Sequence, residues 1–114
     1  MKYVYLIQIE GKDIYKIGHS KNPKTRIKNV QTGNPFKVLV ASSYKSKRAI
    51  KIETCLHHRF SSHKITEDDV KLQGEWFKLD SNLVKDFQKI CEQIDNNFKV
   101  LEENSTLYDK KSKI

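Results

Sequence analysis

Cysteine is scarce in this chain. There are two, Cys55 and Cys91, and neither sits in a CxxC pair. That excludes a disulfide framework, and we expect reduced thiols in a cytoplasmic compartment. Proline and glycine are sparse as well, at two and four residues. We find no low-complexity linker and no internal repeat. No stretch approaches the roughly 20 apolar residues of a membrane-spanning helix. A strand-like run opens at Tyr3, so we expect no signal peptide. Acidic residues are nearly missing from the first part: residues 1–64 hold 3 Asp and Glu against 14 Lys and Arg, a balance of +11. Residues 65–114 hold 11 against 8, a balance of −3, which leaves the chain at +8. So basic a region suits a polyanion, most often nucleic acid. The alternative is a solvated lysine-rich surface, and the lopsided distribution favours nucleic acid. No basic amphipathic helix stands alone to suggest a membrane surface.

What is present fits one soluble domain of 114 residues, 37% hydrophobic and 32% charged. The organising stretch is Tyr3 to Arg26. Tyr3–Ile9 is apolar or aromatic at every position but Gln8, and reads as a central strand covered on both faces. A turn over Glu10–Asp13 leads into a second strand, Ile14–Gly18. This register sets Tyr5 opposite Gly18 and Ile7 opposite Lys16. Tyr5 and Lys16 are then diagonal neighbours on one face, beside the gap that Gly18 leaves. A phenol and an amine flanking a gap form a candidate site; the plainer reading is a core tyrosine and a lysine that snorkels to solvent.

Asn22 and Pro23 cap and open a helix that runs to about Gln31. Its apolar stripe is Pro23, Ile27 and Val30, and Arg26 lies at the edge of that stripe, able to reach the sheet. Lys21, Lys24 and Lys28 point elsewhere, as candidate phosphate contacts or solubility charges. Lys37–Ser43 reads as a third strand. A helix over about Ser46–Phe60 has the stripe Ala49, Ile52, Leu56 and Phe60. Glu53 falls inside this stripe, where a carboxylate needs a cation, a metal or strong donors. A buried pair with Arg or Lys and a metal-binding or catalytic role both satisfy that need. His57 flanks Glu53 on the same side; His58 and Lys51 face solvent.

Ser61–Gln73 reads as a polar connection containing Glu67-Asp68-Asp69, and Glu75–Leu79 is a short strand candidate that brings Trp76 to the core. Asp80 or Ser81 caps a last helix whose stripe is Leu83, Phe87, Ile90, Cys91, Ile94, Phe98 and Leu101. We read it as core packing, with Cys91 an inert thiol. A polar, frayed tail follows from residue 102. Cys55, His57, His58 and His63 match no standard zinc spacing. The fold expected is α+β, an α/β sandwich. A small, mostly antiparallel three-stranded sheet is flanked by helices, with an extra C-terminal amphipathic helix, as one domain over residues 1–101.

The strings YVYLI (3–7), YKIGHS-NP-R (15–26), QTGNP (31–35), E-x-x-x-H (53–57) and GEWF (74–77) resemble the GIY-YIG nuclease superfamily. The likeness is to a small branch common in phages and large DNA viruses, and it covers about residues 3–79. In this resemblance Tyr5 takes the place of the first motif tyrosine, Arg26 the helix arginine and Glu53 the metal-binding glutamate. Lys16 stands where most members carry tyrosine, and Tyr15 precedes it on the other face. The first motif is degenerate, YVY for GIY. Lys16 and His19 match replacements seen in restriction-enzyme members.

The resemblance implies a DNA endonuclease with one Mg2+ (or Mn2+) ion held by Glu53, acting in the cytoplasm of a host cell. Arg26 would stabilise charge on the phosphate. Tyr5, beside Lys16, would take a proton from the attacking water, and His19 would assist as a donor or relay. Lys21, Lys24, Lys28 and Lys51 would hold the DNA backbone, with Tyr15 and His57 in lesser roles. The competing readings are a non-catalytic nucleic-acid-binding module on the same scaffold, and a protein-interaction domain that uses the last helix. The intact set Tyr5, Lys16, Arg26 and Glu53 favours the enzyme.

Overall fold

A computed structural model gives the fold, describing residues 1–65 and 75–112, with side chains to residue 104. The expected acidic run Glu67-Asp68-Asp69 and Gly74 of the GEWF string lie outside the described residues. The elements are β1 (Lys2–Ile9), β2 (Ile14–Ser20), α1 (Pro23–Thr32), β3 (Val38–Ser46), α2 (Ala49–Arg59), a 3-10 turn (Ser61–His63), β4 (Phe77–Lys78), α3 (Ser81–Lys85) and α4 (Phe87–Ser112). They form an α+β fold around one antiparallel sheet of order β3-β1-β2-β4.

Among the described residues the sheet has four strands where three were expected. The fourth is two residues long and pairs with Ile14 and Tyr15 of β2, with a single antiparallel bridge from Phe77 to Lys64 on its other side. Beyond Tyr15, β2 has β1 on one side and no strand on the other among the described residues. The hairpin register is the one that the turn predicts, with Tyr5 opposite Gly18 and Ile7 opposite Lys16. Gly11 takes φ 77 in the turn, a left-handed value that an L side chain resists. Lys12 N–H donates to the Ile9 carbonyl across it. On the other side of β1 the register shifts between Leu6 and Ile7, which leaves Ala41 of β3 as a bulge residue.

Strand alternation sorts the apolar side chains into two layers. Val4 and Leu6 join Ile52 and Leu56 of α2 and Phe87, Ile90 and Cys91 of α4. Tyr5, Ile7 and Ile9 join Val38 and Trp76, with Ile27 and Val30 of α1 against them. β1 is thus covered on both faces, as its composition requires.

The last helix departs from expectation at both ends. It is broken at Asp86 (φ −89, ψ 1), so α3 and α4 are separate. At the far end it runs on to Ser112, past Leu101 where the apolar stripe stops. Leu101, expected in the core, is 60% exposed. Polar pairs hold α4 instead: Arg48, at the α2 N-cap, donates to Asp95 at 3.0 Å and to Glu102 at 2.7 and 3.0 Å. Tyr44 of β3 donates to Asp95 at 2.9 Å, and burial with that bond pushes its phenol up to about 12. Cys91 is fully buried, which pushes its thiol up to about 12.

Candidate active site

Local hydrogen bonding explains two of the motif strings. In SKNP, the Asn22 side chain accepts from Lys24 and Thr25 N–H and caps α1, while Ser20 Oγ accepts from Asn22 N–H. In QTGNP, Gln31 clasps the path from α1 to β3: its amide donates to the Phe36 carbonyl at 2.8 Å and accepts from Val38 N–H at 2.9 Å. Asn34 accepts from Phe36 N–H. These strings fix where α1 lies, and therefore where Arg26 points. Sequence reasoning gave Gln31 no role; a polar residue just before a turn and a strand was the available signal.

Arg26, one turn into α1, donates from Nε to the Tyr5 hydroxyl at 3.3 Å. The Tyr5 ring lies across Gly18. A Cβ built on Gly18 would sit 2.8 Å from Tyr5 Cε1 and closer still to the hydroxyl. The gap expected beside Tyr5 is therefore filled by the tyrosine itself. Lys16 shares that face, but its amine lies over the Trp76 ring, 5.6 Å from the centroid. It is Arg26, and not Lys16 as expected, that meets the phenolic oxygen. Lys16 and Arg26 both line a pocket of about 310 Å³, with Asn29, Val30, Gly33, Asn34 and Trp76. Burial and then the Arg26 charge push the Lys16 amine below its usual range, while Glu53 and Glu75 pull it upward.

The other layer contributes Glu53 and two histidines. His19, opposite Val4 and so on the α2 face, pairs through Nδ1 with Glu53 Oε2. His57, one turn along α2, has Nε2 3.5 Å from Glu53 Oε1. That nitrogen is also 2.9 Å from the Ile17 carbonyl, on the open edge of β2. His57 Nδ1 lies 2.8 Å from Glu75 Oε2, and Lys64 Nζ donates to Glu75 Oε1 at 3.0 Å. Both His57 nitrogens thus face oxygen acceptors, each bonding when it carries a proton. Hydrogen bonds from Lys64 and His57 hold the Glu75 carboxyl below its usual range. Glu53 meets its need for partners with two imidazoles, not with the Arg or Lys of the plainer reading. Its side chain keeps 22% exposure, so solvent reaches it.

These two groups flank residues 16–19 of β2 from opposite faces, where the strand edge is open among the described residues. Tyr5, Lys16 and Arg26 come from the α1 face; His19, Glu53 and His57 come from the α2 face; Lys16 feels charge from both. Tyr15 is apart from them, 4% exposed in the core among Leu6, Ile17 and Phe77, with burial and Asp13 pushing its phenol up. Lys24 and Lys28 are exposed on α1, whereas Lys21 and Lys51 line a separate groove at the start of α2. Glu75 was read only as part of a strand. An acidic residue beside a lone Trp carries no periodic signal that would have marked it.

Among the described residues no helix is long and apolar enough to cross a membrane. No curated protein and no solved structure matches the chain. A family model does match, that of the T5orf172 domain, over residues 2–95. This span takes in all four strands, both faces of the β2 edge and every residue gathered there, so the chain belongs to the T5orf172 domain family.

Proposed function

We propose that the protein is a GIY-YIG-type endonuclease that hydrolyses DNA phosphodiester bonds with one divalent ion, Mg2+ or Mn2+. The observation that carries this reading is the β2 edge. A solvent-reachable glutamate from the middle of an apolar helix stripe flanks β2 on one face, a tyrosine–arginine pair flanks it on the other, and the charge of Glu53 reaches Lys16 beside that pair. Membership in the T5orf172 family, a phage-type nucleic-acid-related domain, supports the same class, as does the basic balance of residues 1–64.

The donor set at Glu53 fits such an ion. Among the described residues no three His, Cys, Asp or Glu side chains form a ready-made metal cage. Mg2+ does not need one: it keeps several waters and is held by one or two carboxylates together with substrate phosphate. Glu53 would hold the ion, with His19 and His57 orienting its carboxylate. When bound, the ion supplies a Lewis acid for the phosphoryl and leaving oxygens. Arg26 faces the negative charge that builds on the phosphate, and Lys16 adds a second cation from the same pocket. Tyr5, fixed by Arg26 and by the lack of a side chain at Gly18, is the group that would take the proton given up by the attacking water.

Nicking of supercoiled plasmid, with and without Mg2+, tests this reading. We expect metal-dependent nicking by the wild type. Glu53→Gln should reduce it by at least about a hundredfold, the scale of losing a group that acts in the transition state, while DNA binding persists. Binding without nicking in any divalent metal would favour the non-catalytic module.

A further inference from the structure

A second, separate feature lies beside the β2 edge. A groove of about 950 Å³ opens where the start of β1, the end of β2, the first turn of α2 and the outer part of α4 meet. Its charged lining is Lys2, Lys21, Lys47, Arg48, Lys51 and a single carboxylate, Glu102. Arg48 is committed to Asp95 and Glu102, and Lys51 lies 3.7 Å from Glu102. Lys2, Lys21 and Lys47 make no ion pair among the described residues. Lys47 acts on the Glu102 carboxylate from a longer range, so the lining holds five cationic side chains against one carboxylate, an excess that favours an anion in the groove.

We infer that this groove seats the phosphate backbone of a DNA strand next to the bond being attacked. Size and position argue for an extended polyanion over a small phosphate compound. The lining spreads its cations over three elements, and Ile50, 50% exposed, offers an apolar wall suited to sugar rings. Lys21 follows His19 by two residues, and Ala49 precedes Glu53 by one helical turn, about 6 Å along the axis. A strand lying in the groove therefore runs on to Glu53. Lys2 and Lys47 gain a role here that their places in the sequence did not suggest, while Lys24 and Lys28 lie outside the groove. The inference rests on the nucleic-acid reading above, though not on catalysis.

The test is fluorescence anisotropy with a short labelled DNA duplex of arbitrary sequence, without divalent metal, over a salt titration. The double variant Lys2→Ser/Lys47→Ser is compared with Lys85→Ser/Lys89→Ser, which removes the same charge from α3 and α4. Thermal melts establish that each is folded. The groove variant should bind about tenfold more weakly and lose about two units of the log–log salt slope, one per phosphate contact, with the control losing less than half as much. Equal losses in the two variants would overturn the groove, and so would absence of binding by the wild type. Plasmid nicking by the wild type is read separately. A groove effect without nicking leaves this inference standing and removes the enzyme; nicking with equal losses does the reverse.

Discussion

At the scale of single residues, Tyr5 and Gly18 form the tightest constraint. The Tyr5 ring occupies the space where any larger residue at 18 would place its Cβ, and both are backbone neighbours in mid-sheet. Gly18→Ala should destabilise the fold by about 1–3 kcal/mol, the usual cost of overpacking, and move the Tyr5 hydroxyl off Arg26. A double-mutant cycle by denaturant unfolding checks the cause: in a Tyr5→Ala background the same glycine substitution should cost far less. Lys16→Met, which keeps the stem and removes the charge, should slow nicking by about tenfold or more at neutral pH if its cation faces phosphate. An unchanged rate would make Lys16 a cover for Trp76 alone. The hairpin register was legible because turn length and alternation leave one solution. That Arg26 and not Lys16 reaches the phenol was not, since it depends on how α1 is set by Gln31 and Asn22. Those are side chain-to-backbone bonds that no periodicity records.

At the scale of elements, helix faces were read well and helix ends poorly. Ala49, Ile52, Leu56 and Phe60 are all buried, as their spacing predicts. The same spacing could not say that α4 continues beyond its apolar stripe, because residues from 102 on carry no apolar period; Glu102, just past the stripe, is paired with Arg48 instead. The Asp95–Arg48–Tyr44 cluster ties α4 to α2 and β3. Burial works against the charged form of Asp95, but hydrogen bonds involving Ser46, Tyr44 and Arg48 outweigh it and hold the carboxyl below the ordinary 3.8. A depressed carboxyl contributes stability above its unfolded pKa and loses it as pH falls through the folded one. Asp95→Asn should therefore cost about 1–3 kcal/mol at pH 7. Its difference from wild type should shrink steadily once pH drops below about 4. Urea unfolding at several pH values reads this directly; a constant difference would mean that shape, not charge, matters there.

For the whole molecule, the two layers around the sheet are unequal. Among the described residues, thirteen buried side chains form the α2–α4 layer and five the α1 layer. The α1 helix itself has no buried residue. The overall class and the basic character were legible because they follow from alternation and composition; this inequality was not, because it depends on which helix covers which face. Sites assembled from both layers inherit the difference. Local opening free energy follows buried contact, so amide hydrogen exchange should be fastest in α1 and slowest in β1 and the inner part of α4. On that expectation the Glu53–His19 pair should outlast the Arg26–Tyr5 bond. A phosphate bridging Arg26 to the sheet would slow exchange in α1 selectively. In that sense one face would carry a clock: the lifetime of the complete candidate site would be the closed lifetime of a single helix with no buried residue.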